Sequence, residues 1–203
     1  MGRIQNGKLL YHLTALNNLE SIIQNGLMSR DALTEKKENF IDVANQEIVK
    51  SREYYNLSSY IPFHFHIHTA FYTIVKNQNP NIDFIYLCLQ RKKAKELNFQ
   101  IIPEHPLSSS IFTVSLLSYE NGIDAINWDI MELTQTEAKE RNIDLDDHRK
   151  IRMAECLTKS ILNITEFNII GVSNNKVKIK TENLLKKYNI NSPPYVNTYK
   201  MWF

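Results

Sequence analysis

The apolar positions of this chain fall in short blocks separated by polar runs, and their period changes from block to block. "LLYHL" (Leu9 to Leu13) reads as a strand. Beyond it, Leu19, Ile22 and Ile23 recur at helical spacing. They predict a helix from about Asn18 to Asn25, with Asn17 as its cap and Gly26 as its stop. Residues 29–50 are polar and charged and predict a mobile excursion with some helix. "YIPFHFHIH" (Tyr60 to His68) is an aromatic strand entering a loop, and "TAFYTIVKN" a short helix capped by Thr69. "DFIYLCLQ" (Asp83 to Gln90) is continuously apolar, as in a strand covered on both faces. Residues 91–97 look helical and "FQIIP" forms a short strand. "IDAINWDIMEL" precedes a charged, partly helical segment, Thr134 to Lys150. "RMAECLTKS" and "FNIIGVS" predict two more strands. Lys176 to Tyr188 is an amphipathic helix, and "YVNTYKMWF" closes the chain as a strand. The order predicts a single α+β domain over residues 1–203, built on a mixed or antiparallel sheet.

Composition narrows this reading. Hydrophobic residues make up 43% of the chain, enough for a core. No apolar run reaches the length of a membrane span, and "MGRIQNGKLLYHL" lacks the apolar stretch of a signal peptide. Asn6 stands where a myristoylation motif needs Ser or Thr. A cytoplasmic protein with no membrane partner is expected, with Cys88 and Cys156 as free thiols. The net charge of +2 announces no nucleic-acid partner globally, although "RKKAK" and "KVKIKTENLLKK" are basic clusters.

Four constellations carry candidate chemistry. His12 and Thr14 share a strand face, where an imidazole and a hydroxyl can grip a ribose diol or a carboxamide; they can also be ordinary half-buried polar residues. His64, His66 and His68 alternate, which invites a zinc reading, yet no further ligand motif accompanies them, so no metal is expected. Glu155 interrupts an apolar strand. Such a carboxylate either pays for desolvation through a partner and suits acid–base work, or sits on an edge strand facing water. Arg52 in "VKSREYY" is a candidate or an exposed loop residue. The chain has no P-loop, Gly-x-Ser-x-Gly or Gly-x-Gly-x-x-Gly motif, and its five glycines argue against a dinucleotide fold built on glycine turns.

The order of these pieces resembles the ADP-ribosyltransferase superfamily. There a His-x-Ser/Thr strand leads into a helix ending Ile-x-x-Gly-Leu, and a late strand carries a glutamate. Closer still, "YHLTALNNLESIIQNGL", Arg52 before "YIPFHFHIHTAFYTI", "INWDIMEL" and "RMAECL" resemble the DarT family of DNA ADP-ribosyltransferase toxins over roughly residues 9–172. Three positions depart from the family pattern: Ala70 for proline, Asn127 for aspartate and Cys156 for a large apolar residue.

The resemblance implies a split mixed or antiparallel sheet with short flanking helices, and NAD+ as co-substrate held without glycine turns. It implies transfer of ADP-ribose to a base of single-stranded DNA, guanine favoured over thymine. It also implies a toxin–antitoxin context, with a cognate ADP-ribosyl-DNA hydrolase, macrodomain or NADAR-like, as partner. Glu155 and Arg52 would be catalytic, with Arg30 as the alternative arginine. His12, Thr14, Asn18, Gly26, Leu27, Arg52, Phe71 and Tyr72 would bind NAD+. Trp128, His148, Arg149 and Lys150 would contact DNA. Rival readings are an ADP-ribosyltransferase acting on protein or RNA, a non-catalytic NAD- or nucleic-acid-binding module, and a histidine-dependent metallohydrolase.

Overall fold

Strand β1 (Leu9–Ala15) decides the architecture, because its two neighbours treat it differently. In the computed structural model, which describes residues 4–43, 46–105 and 115–203, β1 pairs along its whole length with β3 (Phe84–Gln90), from Leu9 opposite Gln90 to Ala15 opposite Phe84. On its other side it meets β2 (Ile61–His64) at one registered pair, Tyr11 opposite His64. Pro62 contributes to this parting, since a proline offers no backbone N–H to a ladder. Its carbonyl instead accepts from the side chain of His12, Nδ1 to O 2.8 Å.

Around this seam lies one eight-stranded mixed sheet, order β5-β4-β6-β2-β1-β3-β7-β8. The other strands are β4 (Gln100–Ile102), β5 (Leu117–Ser118), β6 (Glu155–Thr158), β7 (Ile169–Val172) and β8 (Tyr195–Thr198). All neighbours are antiparallel except β7 and β8. The uniform burial of β3 from Phe84 to Leu89 fits its central place, with apolar cover on both faces. On one face Leu10, Ile85, Leu87 and Leu89 join Phe63, Phe99 and Ile101 in the main core. On the other, Leu13, Tyr86 and Cys88 pack with Tyr72 and Val75 of helix α4 (Ala70–Gln78). Cys88 and Cys156 are buried free thiols.

The remaining helices are α1 (Leu19–Asn25), α2 (Arg30–Glu35), α3 (Gln46–Tyr54), α5 (Arg91–Glu96), α6 (Tyr119–Ala125), α7 (Trp128–Met131), α8 (Gln135–Glu140), α9 (Leu145–Arg152) and α10 (Asn175–Lys187). The helix expected within the 29–50 excursion is present as α2 and most of α3, with residues 44–45 outside the described set, as is the Met-Gly start of the chain. Other expectations need correction. Asn17 caps nothing; it lies inside a 3-10 turn, Leu16–Asn18, that precedes α1. Arg152 belongs to α9 rather than to a strand, because its Nη1 donates to the carbonyls of Met131 (2.6 Å) and Leu133 (3.1 Å). The last strand stops at Thr198. A 3-10 turn, Lys200–Trp202, then stacks Trp202 on Tyr199, ring centroids 3.9 Å apart, against Gly171, where a Cβ would meet the indole at 2.6 Å.

Gly26 ends α1 at φ 81°, ψ 164°, a conformation reserved almost wholly for glycine. A Cβ there would also meet Ile161 Cγ2 at 2.6 Å and the Leu162 carbonyl oxygen at 3.1 Å, next to the bridge between Leu27 and Leu162. Gly26→Ala is therefore expected to lower unfolding free energy by about 1–3 kcal/mol. Urea titration should show a lower midpoint at unchanged slope.

Candidate active site

The parting of β1 from β2 opens into a cleft of about 530 Å³. His12, Thr14, Asn18, Gly26, Leu27, Arg52, Phe71 and Glu155 all line it, so the seam, α1, α3, α4 and β6 meet at one place. Glu155 and His12 stand two strands apart, roughly 10 Å at ordinary strand spacing.

Glu155 opens β6 and is only 5% exposed. It is no edge residue, because its backbone is flanked by His64 of β2 and Ile102 of β4. A carboxylate so enclosed needs a cation. Arg52, near the end of α3, supplies it: a single Nη1 donates to both Glu155 oxygens, at 3.0 and 2.9 Å. Burial alone would push the Glu155 carboxyl up. The Arg52 guanidinium, helped by His64 and His105, overturns that and holds it below the ordinary glutamate value. Glu155 is thus ionised at neutral pH.

His12 is half-buried and neutral. A carbonyl can only accept, so the bond to Pro62 fixes the proton on Nδ1 and leaves Nε2 as an acceptor. Burial lowers its pKa to about 4, more than the Pro62 bond restores. Thr14 Oγ1 accepts from Asn18 Nδ2 at 3.1 Å. The same Asn18 amide donates to the Ile41 carbonyl (3.0 Å) and accepts from the Ile41 N–H (2.7 Å), which ties the segment after α2 to the seam. Arg30 is taken up in an ion pair with Asp42 and lies over the Phe40 ring. It lines the cleft, but Arg52 is the arginine that reaches Glu155.

Three predicted site residues are placed elsewhere. Tyr72 turns into the second core against Tyr86 and Phe203, leaving Phe71 as the aromatic of α4 at the cleft. Trp128 is 9% exposed: its indole N–H bonds the Ile123 carbonyl and its ring packs edge-on to Phe65. His148 is 4% exposed and bonds the Leu133 carbonyl through Nε2. Neither lines the cleft, because both side chains serve to dock α7 and α9. Arg149 and Lys150, by contrast, lie on its wall, paired with Asp146 and Asp147.

The fold also brings to the cleft His64, read from sequence only as one of the alternating histidines, and residues that the sequence reading did not single out. His64 stands directly between Glu155 and Tyr11 in the sheet and bonds the Ala154 carbonyl at 3.3 Å. His105 reaches the cleft from beyond β4, and Ser58 and Tyr60 from the approach to β2. The alternation of the three histidines is real but dispersed. His66 is buried; its Nε2 donates to the Arg152 carbonyl at 2.8 Å, and its Nδ1 accepts from Arg152 Nη2 at 3.4 Å. Among the described residues no group of His, Cys, Asp or Glu is arranged to hold a metal ion.

Burial lowers the pKa of His12, His64, His66 and His105 alike. Their folded-state values lie below their unfolded ones, so the unfolded chain takes up protons first as pH falls below about 6.5. Stability should be full above that pH and decline as pH drops toward 4, with Glu155 adding to the loss at the acid end. The urea midpoint at pH 5 is expected to fall clearly below that at pH 7.5.

With this geometry in place, the comparisons with known proteins converge. A profile described as "DarT: ssDNA thymidine ADP-ribosyltransferase" matches residues 11–203. The fold superimposes on Thermus sp. 2.9 DarT in complex with ADP-ribosylated ssDNA, TM-score 0.79 at 16% identity, over 97% of this chain and 96% of that one. The same DarT in complex with NAD+ gives TM-score 0.76 at 16% identity, with 98% of each chain covered. Thermosipho africanus DarTG in complex with ADP-ribose gives 0.70 at 19% identity, over 97% of this chain and 51% of that one. No curated protein matches in sequence. The family profile spans nearly the whole chain, so this protein belongs to the DarT family of single-stranded-DNA ADP-ribosyltransferases.

Proposed function

We propose that this chain is the toxin of a toxin–antitoxin pair that transfers ADP-ribose from NAD+ to a base of single-stranded DNA, releasing nicotinamide. The observation that carries the proposal is the buried, ionised Glu155, bridged by Arg52, in a cleft shared with His12 and Phe71. The complexes of the Thermus protein, with NAD+ and with ADP-ribosylated ssDNA, support both substrates.

Breaking the nicotinamide–ribose bond builds positive charge on the ribose, as in glycoside hydrolysis. An ionised Glu155 facing that carbon stabilises the charge. Its charge is fixed before reaction by Arg52, so little reorganisation is needed. Proton uptake from the attacking base nitrogen is its second task, for which each carboxylate oxygen keeps a lone pair beyond the one bonded to Arg52. His12 Nε2, an acceptor by virtue of the Pro62 bond, suits a hydroxyl of the adenine-side ribose. Thr14, with its oxygen already accepting from Asn18, can donate to the nicotinamide end. Phe71 provides the stacking face for the ring, and Arg52 faces the diphosphate. Gly26 and Leu27 form the cleft wall where α1 ends.

The DNA strand crosses the cleft mouth between the 29–50 segment and α9, where Arg149 and Lys150 meet its phosphates. A target base must leave the stack to react, which accounts for a single-stranded substrate. Guanine is the base we assign, on the sequence pattern of "PFHFHIHTAF" and "YKMWF"; the family description names thymidine. A DNA-modifying toxin requires a partner that reverses the modification, so a macrodomain or NADAR-like ADP-ribosyl-DNA hydrolase is its proposed antitoxin. The cytoplasm, where NAD+ and single-stranded DNA meet, is the proposed site of action. No helix among the described residues is long and apolar enough to cross a membrane.

Mass spectrometry of a mixed-sequence oligonucleotide, after incubation with the protein and NAD+, should show the mass of one ADP-ribosyl group on guanine. Fragments carrying it on thymine would overturn the base assignment, and an unmodified oligonucleotide would overturn the activity. Glu155→Ala is expected to slow labelling at least about a hundredfold while NAD+ binding is largely kept. Near-wild-type labelling by that variant would refute the role given to Glu155.

A further inference from the structure

Among the described residues, three buried side-chain polar atoms have no hydrogen-bond partner: Arg52 Nη2, Ser58 Oγ and Tyr72 Oη. Tyr72 belongs to the second core, away from the cleft. The other two both belong to residues that line the cleft. They are also neighbours through the backbone. The N–H of Leu57 bonds the Arg52 carbonyl at 2.8 Å, which folds the chain after α3 and delivers Ser58 beside the arginine's turn.

Buried polar groups are almost always satisfied, and each exception calls for a cause. Ser58 is 7% exposed, and its own carbonyl is engaged by the Asp31 N–H at 3.3 Å, so its backbone is held while its hydroxyl is left unpaired. A serine with no partner for its oxygen gains nothing over alanine in the free protein. Nearby serines behave otherwise: Ser29 caps α2 by accepting from the Ala32 N–H. Arg52 shows a matching division. Nη1 is spent on both oxygens of Glu155, whereas Nη2 keeps its protons for something else.

Both orphans can donate, and one of them carries part of a guanidinium charge. The complementary group is an anion that only accepts. In the substrate assigned above, that group is the diphosphate. We propose that Ser58 is a substrate-positioning residue, whose hydroxyl and the Nη2 of Arg52 together bind one phosphate of the dinucleotide. The inference rests on the functional reading and adds a residue to it. It also gives Arg52 a linking task, since one guanidinium then joins the phosphate to the carboxylate at the reacting carbon. A hydroxyl turns among three staggered positions about χ1, which lets the Ser58 oxygen reorient when a ligand enters.

The test is calorimetric titration of wild type and Ser58→Ala with NAD+ and, separately, with ADP-ribose, which keeps the diphosphate but lacks nicotinamide. Ser58→Ala should weaken both by about tenfold or more, the range for a hydrogen bond to a charged group. In steady state it should raise the KM for NAD+ while kcat stays within about twofold. Its thermal midpoint without ligand should equal or exceed that of wild type. Equal affinity of variant and wild type for both ligands would overturn the inference alone. So would weakening confined to NAD+, or a loss of several degrees in the free protein. Failure of wild type to bind either ligand would overturn the functional reading as well.

Discussion

The site depends on an interruption. Where β1 and β2 would continue as a ladder, Pro62 withholds a donor and the His12 imidazole takes the place of a backbone N–H on its carbonyl. The two strands stay linked yet apart, and the space between them becomes the cleft. That bond also sets the chemistry of His12. It fixes the tautomer, presents Nε2 as an acceptor and, together with burial, keeps the ring neutral. Fold and recognition therefore share a single hydrogen bond.

On the far side of the seam the problem is charge. Glu155 sits between two strands with almost no exposure, a position from which an unpaired carboxylate would be expelled as the neutral acid. Arg52 prevents this from a helix 103 residues earlier in the chain. A buried pair of this kind adds little to stability, since desolvation offsets most of the attraction. Its consequence is a fixed negative charge in the cleft, which in the proposed reaction faces the cation developing on the ribose.

The polar residues around the cleft divide into those that face it and those that hold its frame. Arg152 gathers the carbonyls of Met131 and Leu133 and one nitrogen of His66, and so binds α7 and α9 to the end of β2. His148 and Trp128 do similar work with single backbone carbonyls. In sequence they look like nucleic-acid contacts, an aromatic and a histidine beside Arg149 and Lys150. Burial separates them: the first two dock helices, and the second two line the cleft wall.

The sequence by itself determined the elements and the roll of chemical groups. The block around β3, the stop at Gly26, the Thr69 cap of α4 and the periodicity of α10 are local patterns, set by steric and hydrogen-bond rules that act within a few residues. The order of motifs carried the family, and with it the expectation that Glu155, Arg52, His12 and Phe71 or Tyr72 would share a site. Only the tertiary structure decided which side of a helix faced the cleft, so that Phe71 and Tyr72, adjacent in sequence, went to different places. It paired Arg30 with Asp42 and Arg52 with Glu155, brought in His105 and Ser58, and placed Glu155 in the middle of the sheet. The pairings that make the site join distant segments, His12 to Pro62 across 50 residues and Arg52 to Glu155 across 103. Local periodicity carries no record of which distant segment will supply a partner, because pairing at such range is set by the packing of the whole core.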